Sequence, residues 1–153
     1  MFDLVLQTPS LPAMSDTAIE AVRELAGREM ELPQVPLPTE HVLHGGLYCR
    51  TICMPAGTRV VGALIKIPTT VIVHGICTVW IGEESWYLSG YNVLQASAGR
   101  KQVFEASEET FITMLFPTAA KTTEEAEREF TDEFELLASR RADTPNQIVI
   151  TGE

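Results

Sequence analysis

Apolar positions fall into three patterns along the chain. Over residues 41–118, runs rich in Val, Ile, Thr and aromatic residues are short. They are interrupted at Gly45-Gly46, Pro55-Ala56-Gly57, Pro68, Gly75, Gly82-Glu83-Glu84, Gly90 and Ala98-Gly99. Glycine and proline at this spacing punctuate extended chain, so the zone predicts about seven short strands in a sandwich or barrel rather than βαβ units. Upstream, Ala18, Ile19, Val22, Leu25, Ala26 and Met30 recur on one helical face. That helix starts near Ser15 to Thr17, where Thr17 and Glu20 have capping-box spacing. Pro33, Pro36 and Pro38 then rule out regular helix and favour an extended crossing. Phe2 to Leu6 reads as a short strand ahead of the helix. Downstream, Thr122 and Glu125 make a second capping box and Glu124, Glu125 and Glu127 crowd the first turns. Arg140 and Arg141 sit at the far end, which complements a helix dipole. Ala126, Phe130, Phe134, Leu137 and Arg141 form one stripe, predicting a helix packed outside the barrel or against a second subunit.

A length of 153 residues suits one domain over 1–153. Its parts are an N-terminal arm and helix (1–40), a β-barrel (41–118) and a C-terminal helix and tail (119–153). The formal net charge of -10 repels phosphate backbones and anionic lipid, which argues against a nucleic-acid polymer or a membrane as partner. A small anion is still compatible, because a local basic cluster in a cavity can outweigh the global charge. Three cysteines, Cys49, Cys53 and Cys77, form no disulfide framework and point to a reducing compartment. Cys49 and Cys53 have the spacing of metal ligands, but on a strand their Cα atoms lie about 13 Å apart. They read as structural thiols, as does Cys77. Met1-Phe2-Asp3-Leu4 lacks the basic start of a signal peptide, and no apolar run approaches the ~18–20 residues of a membrane span. The expected location is the cytoplasm.

The stretch Gly46-Leu47-Tyr48-Cys49-Arg50-Thr51-Ile52-Cys53-Met54-Pro55-Ala56-Gly57-Thr58, followed by Val61-Gly62, resembles the entry into the first conserved motif of cupins. Gly90, then Ser97-Ala98-Gly99-Arg100-Lys101-Gln102, resembles the second, and Glu109-Thr110-Phe111-Ile112-Thr113 the strand after it. The pattern as a whole is similar to cupin-like proteins of tailed phages and prophages. The resemblance covers about two thirds of the chain. It implies an all-β core, a cupin (double-stranded β-helix or jelly-roll) barrel, with an N-terminal and a C-terminal helix. It also implies a departure in chemistry. Counting from Gly57, the family's histidine positions hold Ala63 and Ile65, its carboxylate position Thr69 or Thr70, and its second-motif histidine is Gln102. Alanine and isoleucine have no lone pair for a first-row metal, so neither the usual metal nor any other cofactor is expected. A relocated site would need His41, His44 and His74 to converge.

Alternation along the strands places Val61, Ala63 and Ile65 inside, with Lys66 outside or at the rim. It likewise places Arg100, Gln102 and Phe104 inside, and Lys101, Val103 and Glu105 outside. Apolar wall with one guanidinium and one amide suits an organic ligand, with Arg100 pairing bidentately to a carboxylate or phosphate. Tyr48 and Arg50 share a strand face, inner or outer; with His41, His44 and Tyr91 they complete the candidate binding set. Trp80 and Trp86, flanking the Gly82 hairpin, read as packing. The expected function is non-catalytic binding of a small, anionic or nucleotide-like molecule, used by a phage protein to sequester a host nucleotide-derived or metabolite signal. The alternatives are a cupin enzyme, with relocated metal or with a histidine base and tyrosine acid, and an assembly protein with a filled barrel. A homo-oligomer is expected in each case.

Overall fold

The computed structural model describes residues 9–153; the strand expected over Phe2 to Leu6 lies outside them. The described elements are β1 (Ser10–Leu11), α1 (Asp16–Glu29), β2 (Thr39–His44), β3 (Leu47–Met54), β4 (Arg59–Val61), β5 (Thr69–Ile81), β6 (Glu84–Ala96), β7 (Val103–Ala106), β8 (Thr110–Pro117), α2 (Thr123–Phe130) and β9 (Asn146–Ile150). All the strands join one sheet of order β1-β6-β5-β8-β3-β2-β9, with β7 also on β5 and β4 on β7. The result is the expected all-β core with a helix at either side.

The sheet divides into two halves because β5 changes partner midway. Its first half, through His74, pairs with β8, and its second half, from Cys77, pairs with β7. Gly75 sits at the change and lies opposite Gly90 of β6. Both glycines had the look of loop signals. Instead each lies inside a 13-residue strand and bends it, at φ +148° and +79° respectively. β5 and β6 meet in a two-residue turn with Gly82 (φ +63°) at its first position. β3 and β4 follow one another in sequence yet do not pair, so the two halves of the barrel part between them.

Inner side chains are set by strand alternation: Tyr48, Arg50 and Met54 on β3, Val71, Val73, Cys77 and Val79 on β5, Ile112, Met114 and Phe116 on β8. The face of the Tyr48/Arg50 strand, open from sequence, is the inner one. Burial pushes the Cys77 thiol up to about 11, which fits an inert core thiol. Cys49 and Cys53 are half-buried and free.

The helices differ in detail from their sequence reading. Ser15, not Thr17, caps α1, its hydroxyl accepting from the Ala18 N–H at 3.1 Å. Ile19 and Val22 bury, while Met30 ends 64% exposed. The Thr122 cap of α2 forms as expected, but α2 stops at Phe130. Thr131 turns extended so that its hydroxyl can donate to the Leu64 carbonyl at 2.7 Å and accept from the Glu133 N–H. Two 3-10 turns follow, at Phe134–Leu136 and Ala138–Arg140. The tail then runs as β9 parallel to β2, with Ile148, Val149 and Ile150 exposed. α2 buries Ala126 and Phe130, and the turn after it Leu137, in the main core. Among the described residues no helix is long and apolar enough to cross a membrane.

Candidate functional site

A cavity of about 1040 Å³ runs from the barrel interior to the seam between β3 and β4. It stands at the upper end of the roughly 300–1,000 Å³ of small-molecule sites. Its inner wall includes Ile52, Ala63, Ile65, Val71, Phe104, Ile112 and Met114, with Arg50, Arg100 and Gln102 as polar members. Ala63, Ile65 and Gln102, expected at the family's ligand positions, line one space. Of the two threonines at the carboxylate position, Thr69 shares the inner parity of Val71 and Val73 and meets Arg100. These residues do not fit a first-row metal, for want of imidazole or carboxylate.

Arg100 is 1% exposed and Gln102 is 4% exposed. The guanidinium is held by its ends: one terminal nitrogen donates to the Ser97 carbonyl (2.7 Å) and to the Ile67 carbonyl (3.4 Å), the other to the Thr69 hydroxyl (2.7 Å). The outward fork needed for bidentate pairing is therefore spent on the barrel itself. The second terminal nitrogen also meets Met114 Sδ at 3.8 Å, so only Nε–H is left over, and it has no partner; nor does the Gln102 amide nitrogen. Burial lowers the Arg100 pKa to about 10, with no carboxylate acting on it, so the group stays charged at neutral pH. Burying an uncompensated cation is costly, and two orphaned donors add to that cost.

Arg50, the other cavity cation, is the opposite case. It donates to the carboxylate of Glu127 at 2.9 Å and to Ser139 Oγ at 3.0 Å, and its guanidinium lies 5.7 Å from the Phe130 ring centre. Ser139 Oγ also donates to Glu127, and Arg140 pairs with the second carboxylate oxygen. Glu127 is fully buried between two guanidinium groups. Sequence reasoning missed this cluster, although Glu127 lies three residues before Phe130 on the apolar stripe of α2, an unusual place for a carboxylate.

His41 and Tyr48 meet next to this cluster but away from the cavity wall. His41 Nδ1 is 2.7 Å from Tyr48 Oη, and Nε2 is 2.7 Å from Asn146 Oδ1. Asn146 spends its amide hydrogens on the Ser139 and Thr144 carbonyls, so Oδ1 accepts from Nε2–H. Nδ1 must then accept from the Tyr48 hydroxyl, whose pKa burial pushes up to about 12. Burial also holds the imidazole below its ordinary 6.5; Arg50 and Arg140 add to this, while Asn146 and Glu127 oppose it. A base whose folded pKa is lowered binds its proton more readily when unfolded. Stability is therefore retained above about pH 6.5 and lost as pH falls from there toward the folded pKa, by at most about 1.4 kcal/mol per unit. Urea unfolding across this range checks it: the pH slope disappears in His41→Gln, and an unchanged slope there would refute the assignment.

The remaining candidates lie apart. His44 is exposed and meets Thr151 Oγ1 at 2.7 Å. Tyr91 is exposed on the outer face of β6, edge-on to exposed His74. His41 and His44, three positions apart on β2, point to opposite faces, so the three histidines do not converge. Among the described residues no cluster of His, Cys, Asp or Glu is placed to hold a metal. Trp86 packs against the core and Trp80 is partly exposed. Lys101 and Val103 point away from the barrel interior as expected but are not exposed. Both are buried, and Lys101 pairs with Glu133 at 2.8 Å.

No family model matches the chain, and no curated protein matches it. Similar solved structures include ectoine synthase from P. lautus (14% identity, 64% of this chain and 75% of that one, TM-score 0.49). A cupin superfamily protein from Desulfitobacterium hafniense is also similar (10%, 73% and 98%, TM-score 0.47). A cupin-2 domain protein from Shewanella frigidimarina is a third (12%, 65% and 98%, TM-score 0.44). At these levels the likeness concerns the fold and carries no statement of activity.

Proposed function

We propose that this chain is a non-catalytic binder of a small anionic organic molecule, held in the barrel cavity at Arg100 and Gln102. The observation that supports it is the pair of buried donors without partners, Arg100 Nε and Gln102 Nε2, on two residues that line a largely apolar cavity. An anion with two acceptor oxygens would satisfy both and neutralise the buried charge. An assembly protein with a filled barrel has no need of that space, and the His41–Tyr48 pair of the enzyme reading has no access to it. The sequestration of a nucleotide-derived or metabolite signal by a phage protein is the finer form of this proposal. It is supported by the sequence resemblance. Self-association belongs to it too, along the exposed outer edge of β9.

The test is thermal unfolding with carboxylates, phosphates and nucleotides in turn. At least one anion is expected to raise Tm saturably. Arg100→Met should weaken that ligand by about 10- to 100-fold, the range for a hydrogen bond to a charged group. If no anion stabilises the protein, the proposal fails.

A further inference from the structure

The cavity is polarised from end to end. Its two unpartnered donors sit at the buried end, Arg100 at 1% exposure, whereas its outer lining holds Met30, Leu32, Val35 and Leu136 at 46–71% exposure. These four come from three separate places: the end of α1, the proline-rich crossing and the first 3-10 turn. Apolar side chains converging on one opening, left bare, mark a surface that a ligand covers. Ile65, Val71, Phe104 and Ile112 belong to the same lining. At the rim Arg59 pairs with Glu29 at 2.6 Å and with Glu105 at 3.1 Å, while Arg141 donates to the neutral Gln34 amide oxygen and Glu135 carries the opposite charge.

From this we infer the ligand class: a monoanion with a long apolar tail, a carboxylate bound head-inward, its chain running along the wall to the apolar mouth. The inference rests on the anion-binding reading above and narrows it. At the buried end one cation, Arg100, has no carboxylate partner and matches one negative charge; a phosphate monoester brings up to two. Polar residues such as Thr58, Thr78 and Ser107 also line the cavity, but the buried stretch of Ile65, Val71, Phe104 and Ile112 has no side-chain hydrogen-bonding group, and Glu127 already neutralises Arg50. Against that stretch ribose hydroxyls and a base edge would stay unpaired, a penalty that an alkyl chain avoids. The crossing at the mouth is itself tied down: Gln34 donates to the Glu29 and Leu32 carbonyls at 2.9 Å and accepts from Arg141 at 3.1 Å. Its apolar side chains are thus held in place over the opening.

The experiment measures calorimetric affinity for acetate, butyrate, hexanoate, octanoate and decanoate, with octanol and adenosine monophosphate as controls. Each added methylene should tighten binding about three- to four-fold until the chain reaches the mouth. Octanol, lacking the head, should bind at least tenfold more weakly than octanoate. Leu136→Asp, at an exposed site that leaves folding intact, should weaken decanoate while leaving butyrate unchanged. A flat chain-length series with measurable acetate or butyrate binding overturns the tail and leaves the anion site standing. Saturable binding of the nucleotide with none of the alkanoates overturns the class in the same way. Absence of binding by every anion removes both readings together.

Discussion

Glu127→Gln is expected to destabilise the fold by about 3–5 kcal/mol, a large share of the ~5–15 kcal/mol that holds a domain together. The substitution keeps volume and hydrogen-bonding shape but removes the one negative charge between Arg50 and Arg140. Arg50 is 9% exposed and Arg140 25%, so two cations would face each other in a largely desolvated site. Arg140 keeps a contact with Glu124 at 3.3 Å, which relieves part of its share. The load therefore falls on Arg50. Arg50→Met on the Glu127→Gln background should recover much of the loss, because removing both partners of a buried pair costs less than removing one. Urea unfolding of the two single variants and the double variant gives the coupling directly. Losses that simply add would mean that the carboxylate and the guanidinium are not a unit.

The contrast between Arg50 and Arg100 shows what sequence reading reaches. Alternation along short strands was enough to put Arg100, Gln102 and Phe104 inside, since parity is a local property. The identity of each arginine's partner is not local. Arg50 finds Glu127 from 77 positions away, and Arg100 is held mainly by carbonyls, which no residue pattern announces. For the same reason bidentate recognition by Arg100 was the natural expectation and is not what the fold permits. The end of α2 illustrates a second limit. Its apolar stripe continues past Phe130, so periodicity predicts helix as far as Arg141, yet one threonine hydroxyl does better by leaving the helix for Leu64. The tail strand Asn146–Ile150 shows in the sequence only as a short run ending Ile148-Val149-Ile150, and nothing local says that it pairs with β2. Lys101 was assigned the correct side of its strand; what parity cannot say is that another element covers that side.

Gly75→Ala is expected to be as damaging, on the order of 3 kcal/mol or more, for a reason that glycine content alone does not disclose. A Cβ built there would stand 2.7 Å from the Glu109 carbonyl oxygen, 2.7 Å from Thr110 Cα and 2.5 Å from Thr110 Oγ1. Two of these are backbone atoms at the start of β8. They are pinned because the Thr110 hydroxyl donates to the Glu108 carbonyl at 2.9 Å and accepts from the Ile76 N–H at 3.2 Å. β5 passes this close to β8 because here it is leaving that strand for β7, and φ of +148° is open only to glycine. Gly90, directly opposite, is the control. It also has positive φ, but nothing lies within 4 Å of its missing Cβ. Gly90→Ala should therefore cost only the conformational penalty, about 1–2 kcal/mol. Thr110→Ser added to Gly75→Ala should rescue little, because the backbone contacts remain. Equal losses for the two glycine variants would show that backbone conformation, not the close approach of β5 to β8, governs this corner of the barrel.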